Sequence, residues 1–86
     1  MDDETLKLFA FIKVSPYRVE ILRALENESK TPTQLSKDVD TRVFYVSKIL
    51  KDLKDRDIVE CINEDNRKFR FYQLTGRGNE LLQYLK

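Results

Sequence analysis

The sequence predicts a mostly helical α+β domain: four helices, a two-stranded hairpin and a closing helix. Three observations predict it. Ser15-Pro16 and Thr31-Pro32 repeat one helix-starting device, a hydroxyl N-cap followed by proline at the first helical position. Residues 42–56 place their apolar side chains on one arc of a helix. Ile58–Asn63 and Phe69–Leu74 are short β-type runs on either side of a charged turn.

The first helix is expected from about Asp3 to Val14, its acidic start suited to the positive end of the helix dipole. Leu6, Leu8, Phe9, Ala10, Phe11, Ile12 and Val14 lie on every side of it, and a helix apolar all round needs cover on more than one side. That cover is either the domain's own core or a second subunit. A small domain has little material to surround a helix, which favours the subunit. The second helix starts at Pro16 and turns Tyr17, Ile21, Leu22 and Leu25 inward, ending at the polar break Asn27–Lys30. The third, Pro32 to about Asp38, is anchored by Leu35 and Val39.

In the fourth helix, Arg42–Arg56, the side chains of Val46, Ile49, Leu50 and Leu53 share an arc with Val43 at its edge. Phe44, Lys48, Lys51 and Asp55 point the opposite way, flanked by Tyr45 and Ser47. An outward lysine needs no explanation, whereas an outward Phe44 costs hydration unless something covers it. Between the two strands, Glu64–Lys68 offers turn residues without glycine, so the loop is longer than a two-residue hairpin turn. Thr75 caps the closing helix, 76–86, in which Gly76 and Gly78 weaken the first turn by roughly 1 kcal/mol each relative to alanine.

Eighty-six residues make a single domain, 1–86, with room for one modest core. The chain opens on no leader-like segment and has no apolar run near the roughly 20 residues that span a bilayer, so a soluble cytoplasmic protein without membrane contact is expected. With no histidine and one cysteine, Cys61, there is no metal site, no disulfide and no ordinary general base. Neither a cofactor nor enzymatic activity is expected. Cys61 itself reads as a small buried hydrophobe. A net charge of +1 does not announce a nucleic-acid binder. Its distribution is less neutral: residues 1–40 hold 6 Lys/Arg against 8 Asp/Glu, and residues 41–86 hold 10 against 7.

The segments Ser15-Pro16-Tyr17-Arg18-Val19-Glu20-Ile21-Leu22-Arg23-Ala24-Leu25, Thr31-Pro32-Thr33-Gln34-Leu35-Ser36, Val46-Ser47-Lys48-Ile49-Leu50-Lys51-Asp52-Leu53, Ile58-Val59-Glu60-Cys61 and Tyr72-Gln73-Leu74-Thr75 resemble the winged helix-turn-helix regulators of the ArsR/MarR type, with the closest likeness to small archaeal members. The likeness covers about residues 6–85. It implies a winged helix-turn-helix fold with a dimerisation helix at 1–14, the helix-turn-helix at 32–56, the wing at 58–74 and a C-terminal helix at 76–86. It also implies a transcriptional regulator that binds double-stranded DNA as a homodimer. Residues 42–56 would enter the major groove and residues 64–70 would lie on the backbone or minor groove.

By the same resemblance the DNA contacts fall on Thr33, Arg42, Val43, Phe44, Tyr45, Ser47, Lys48, Lys51, Asn66, Arg67, Lys68 and Arg70. The dimer contact falls on Leu6, Phe9, Ile12, Leu82 and Leu85. The sequence departs from the family's habit where Arg42 replaces a capping serine and where valine and phenylalanine occupy base-facing positions. Few hydrogen-bonding groups then remain for base edges, leaving contact with thymine methyls or reading of DNA shape. The metal-sensing branch uses paired cysteines and histidines that this chain lacks.

A plainer reading stands beside each of these. Lys48, Lys51 and Lys54 also describe a solvated helix face balanced by Asp52 and Asp55, and Arg67, Lys68 and Arg70 a soluble hairpin tip. The alternative function is a winged-helix module for protein contact, which near-neutral charge and an outward Phe44 would suit.

Overall fold

The computed structural model describes residues 1–86. The elements are α1 (Asp3–Lys13), α2 (Pro16–Ala24), α3 (Pro32–Asp38), α4 (Val43–Asp55), β1 (Val59–Cys61), β2 (Tyr72–Leu74) and α5 (Gly76–Leu85). The helix starts follow the expected chemistry. Asp2 accepts from the Thr5 amide at 2.7 Å and Ser15 from the Arg18 amide at 3.4 Å. Thr31 and Gln34 form a reciprocal capping box, with bonds of 3.2 and 2.9 Å. Asn27, Asp40 and Asp57 end α2, α3 and α4 in left-handed backbone, a conformation Asn and Asp adopt more readily than most residues.

One cluster of 15 buried apolar side chains joins all of these elements. Val46, Ile49, Leu50 and Leu53 of α4 turn into it as a single arc and hold that helix against α3 and β1. The opposite face of α4 is thereby committed to solvent.

The wing is built differently from a long hairpin. β1 and β2 pair antiparallel over only three residues each, Val59 with Leu74 through Cys61 with Tyr72. The expected strands 58–63 and 69–74 stop short because Asn63 replaces backbone partners with its side chain. Its amide donates to the Phe69 carbonyl at 2.6 Å, and its carbonyl accepts from the Phe71 amide at 2.7 Å. Asn66 then closes the tip, accepting from the amides of Lys68 and Phe69 at 2.9 Å each. At the other edge of β2, Lys30 and Tyr72 exchange backbone bonds of 2.9 and 2.8 Å, which ties the segment before α3 to the wing.

Four expectations need correction. Ile12 and Leu82, assigned to a dimer contact, are fully covered by their own chain and belong to its core. α1 crosses α2 and α5 close enough to seal them, leaving no surface for a second subunit at those two positions. Cys61 is half-buried rather than buried, with its thiol 3.6 Å from Asn63 Oδ1. Gly78 is a packing requirement rather than a weakness: a Cβ there would stand 2.2 Å from the Ile58 carbonyl oxygen. α1 is also not covered on every side, since Leu6, Ala10 and Val14 remain exposed.

Candidate nucleic-acid interface

The outward edge of α4 runs Phe44, Lys48, Lys51, all exposed. Phe44 is 73% exposed at the front turn, and the Lys48 ammonium lies 5.1 Å from its ring centroid. Val43 is 40% exposed beside it. Tyr45 is held within the domain by an edge-on contact with Tyr17 at 5.4 Å between centroids. Arg42 is the N-cap of α4 but makes no side-chain capping bond, so its guanidinium stays free and the first amides of the helix have no side-chain acceptor.

Between α4 and the wing lies an open cleft of about 460 Å³ lined by Pro32, Ser47, Lys51, Lys54, Arg67, Lys68, Arg70 and Tyr72. Five of these eight are cations and none is an acid. A second cleft, on the α3 side, is lined by Thr33, Val43, Ser47, Lys68, Phe69 and Phe71 among others. Ser47 and Lys68 face both. The structure therefore gathers Thr33, Val43, Ser47, Lys51, Arg67, Lys68 and Arg70 onto one surface, with Arg42, Phe44 and Lys48 on the exposed side of the helix that forms its wall. Asn66 is used to build the loop, and its carbonyl oxygen is already engaged twice.

Lys54 is the cation that sequence reasoning left outside the site. Ser47, Lys51 and Lys54 stand at i, i+4 and i+7 on α4, which is the spacing that could have found it. Its ammonium pairs with Glu64 of the wing. The hydrogen bond to Glu64 raises the Lys54 pKa above its usual value, and the same bond lowers that of Glu64. One acid of the wing is thus tied to the cleft wall. Phe69, 63% exposed on the wing, was also missed, and no spacing rule in the sequence singles it out.

Away from this surface, Phe9 and Tyr84 meet edge-on at 6.3 Å where α1 crosses α5. Leu6 and Tyr84 are about half exposed there, and Phe9 and Leu85 are half-buried. No helix is long and apolar enough to cross a membrane.

This arrangement, a helix pair joined by a short turn with a hairpin beside the second helix, is that of a winged helix-turn-helix. The profile of the winged helix-turn-helix family matches residues 18–86, and the chain belongs to that family. Among solved structures it is similar to the MepR–DNA complex of S. aureus, at 17% identity over 96% of this chain and 68% of that one, with a TM-score of 0.75. It is also similar to the transcriptional regulator Tm0710 of Thermotoga maritima, at 21% identity over 93% and 57% of the two chains, with a TM-score of 0.74. A MarR-family transcription regulator, SP03579, aligns at 24% identity over 93% and 52%, with a TM-score of 0.72. The chain spans between about half and two thirds of the length of these structures. No curated protein sequence matches it.

Proposed function

We propose that this chain is a non-enzymatic, double-stranded-DNA-binding transcriptional regulator that acts in the cytoplasm as a homodimer. α4 would enter the major groove, and the wing residues 64–70 would lie on the adjacent backbone or minor groove. The observation that carries this reading is the cleft between α4 and the wing, whose lining holds five cations and no acid. Lys51 and Lys54 pair with Asp55 and Glu64 outside the lining, and Arg67, Lys68 and Arg70 have no acidic partner. Charge of one sign in an open groove suits a polyanion better than a protein surface of mixed charge. The likeness to a protein solved as a complex with DNA supports the DNA-binding reading. The motif likeness to small archaeal regulators belongs to this proposal as well.

The dimer contact is proposed on the exposed side of the α1–α5 crossing, through Leu6, Phe9 and Leu85. A dimer of this kind would present two α4 helices to half-sites about 10 bp apart.

Fluorescence-anisotropy titration against a mixed-sequence duplex of about 30 bp, long enough for two such half-sites, tests the reading. Affinity should fall with salt along a log–log slope of several units, about −0.9 per phosphate neutralised. The double change Lys48→Ala, Arg67→Ala should reduce that slope by about 2 and weaken all sequences alike. A folded protein that binds no duplex at low salt would instead favour the protein-contact module, with Phe44 as its first candidate contact.

A further inference from the structure

Phe44 is the part of the interface that phosphate binding does not use. Its ring is 73% exposed at the front of α4, diametrically opposite the arc formed by Val46, Ile49, Leu50 and Leu53. Beside it, Val43 is partly exposed and Tyr45 is held by Tyr17, so the leading turn presents an apolar tip with few hydrogen-bonding groups. Behind the tip stand Lys48 and Lys51, which can hold the helix to backbone phosphates without reading sequence.

The floor of the major groove offers donors and acceptors on every base pair, but only one apolar group: the methyl on C5 of a pyrimidine. Thymine carries it, and so does 5-methylcytosine. A phenylalanine ring meeting any other base edge would cover acceptors and donors without replacing their hydrogen bonds. We propose that Phe44 is a specificity-determining residue that reads a pyrimidine C5-methyl group in the major groove. The Lys48 ammonium is 5.1 Å from the ring centroid, so the ring and a phosphate-binding cation share one edge of the helix. Preference at the methyl-bearing position therefore comes from the ring, and Lys48 serves the backbone.

The inference rests on the DNA-binding reading, and its test separates the two. Duplexes bound by the protein are first enriched from a random-sequence pool. In the best of them each dT is replaced in turn by dU, which removes the methyl and keeps every hydrogen-bonding group. In a parallel series each dC is replaced by 5-methyl-dC. Burial of one methyl corresponds to about a fourfold change in affinity. We expect a loss of that size at one or two dT→dU positions per half-site, or a matching gain at a methylated dC, which would identify the source of the methyl. Phe44→Ala should erase the discrimination while leaving the melting temperature and the salt slope unchanged, because the ring packs against no core residue.

A dU series and a methyl-dC series that are both silent in the wild type would overturn the proposal. So would discrimination that survives Phe44→Ala, or a pool that yields no preferred sequence although duplex binds. Failure to bind any duplex would overturn the DNA-binding reading itself.

Discussion

Gly78 sets the position of α5 against the root of the wing, and replacing it with alanine measures how tight that junction is. The added Cβ would stand 2.2 Å from the Ile58 carbonyl oxygen and 3.2 Å from both the Ile58 carbonyl carbon and Leu74 Cδ2. The nearest obstacle is backbone and cannot rotate away. The same Ile58 oxygen accepts from the Thr75 amide and hydroxyl, each at 3.1 Å, so relieving the clash pulls apart the cap of α5 and the start of β1. Overpacking of this kind costs about 1–3 kcal/mol, and loss of one hydrogen bond about 1 kcal/mol. The helix preference of alanine returns up to about 1 kcal/mol. The net loss is about 2 kcal/mol, a fall in Tm of roughly 8–16 °C for a domain of this size.

Thermal and urea unfolding followed by far-UV circular dichroism would read the change. Gly76→Ala is the control. Nothing lies within 4 Å of its Cβ position, so that variant should be as stable as the parent or up to about 1 kcal/mol more stable. A Gly78→Ala protein as stable as the parent, or two glycine variants shifted in the same direction, would refute the close approach.

Glu64→Gln should free Lys54 for phosphate, tighten DNA binding and steepen the salt slope by up to about 1; an unchanged slope would mean that Lys54 does not reach the backbone. Acid acts in the same direction but late. Lys54 holds the Glu64 carboxyl below its ordinary range, so the pair is intact above the unfolded glutamate pKa and is lost only as pH falls through the lower folded value. Binding between neutral pH and about pH 5 should therefore show no contribution from Glu64. Asn63→Ala removes both side-chain bonds that brace the wing, so the Phe71 amide should lose protection in hydrogen exchange while amides of α4 keep theirs. Phe9→Asp should give monomers in sedimentation, and a dimer unaffected by it would move the interface away from the α1–α5 crossing.

Helix starts and the α4 core arc were legible because they depend on local chemistry: a hydroxyl before proline, or apolar residues at helical spacing. The bounds of α3 came out as read, those of α4 within one residue at each end, and α2 starts at Pro16 as read but ends at Ala24, short of the polar break at Asn27. What the sequence concealed depends on tertiary approach. Gly78 looks like a poor helix residue until Ile58 is placed over it. Asn63 looks like the end of a strand until its side chain is seen to replace two backbone partners. Ile12 and Leu6 are indistinguishable as apolar residues of one helix. Only the crossing of α1 with α2 and α5 makes the first core and leaves the second 54% exposed. Lys54 was legible from its helical spacing to Ser47 and Lys51, whereas its pairing with Glu64 depends on a wing whose loop path no local rule fixes.

The near-neutral net charge of +1 argued against nucleic acid at the level of composition, but in the structure the charges are unevenly matched. Lys30 is matched by Asp38 at 2.6 Å and Arg77 by Glu4 at 2.7 Å, while Lys86 pairs with Glu26. Arg18 and Arg56 are spent on the Phe11 ring, 3.7 and 3.9 Å from its centroid, where they join α2 and the end of α4 to α1. Arg42, Lys48, Arg67, Lys68 and Arg70 have no carboxylate within 4.0 Å, and all belong to the α4–wing surface. The molecule is 37 Å along its longest axis, several times the screening length of roughly 10 Å at 0.1 M salt. Acids more than a screening length from the wing therefore cancel little of its charge. A phosphate in the cleft meets the local charge, with Asp65 the main unpaired acid on the loop. If these five cations each engage one phosphate, the salt slope per chain should be about −4 to −5, a value that a net charge of +1 would never suggest.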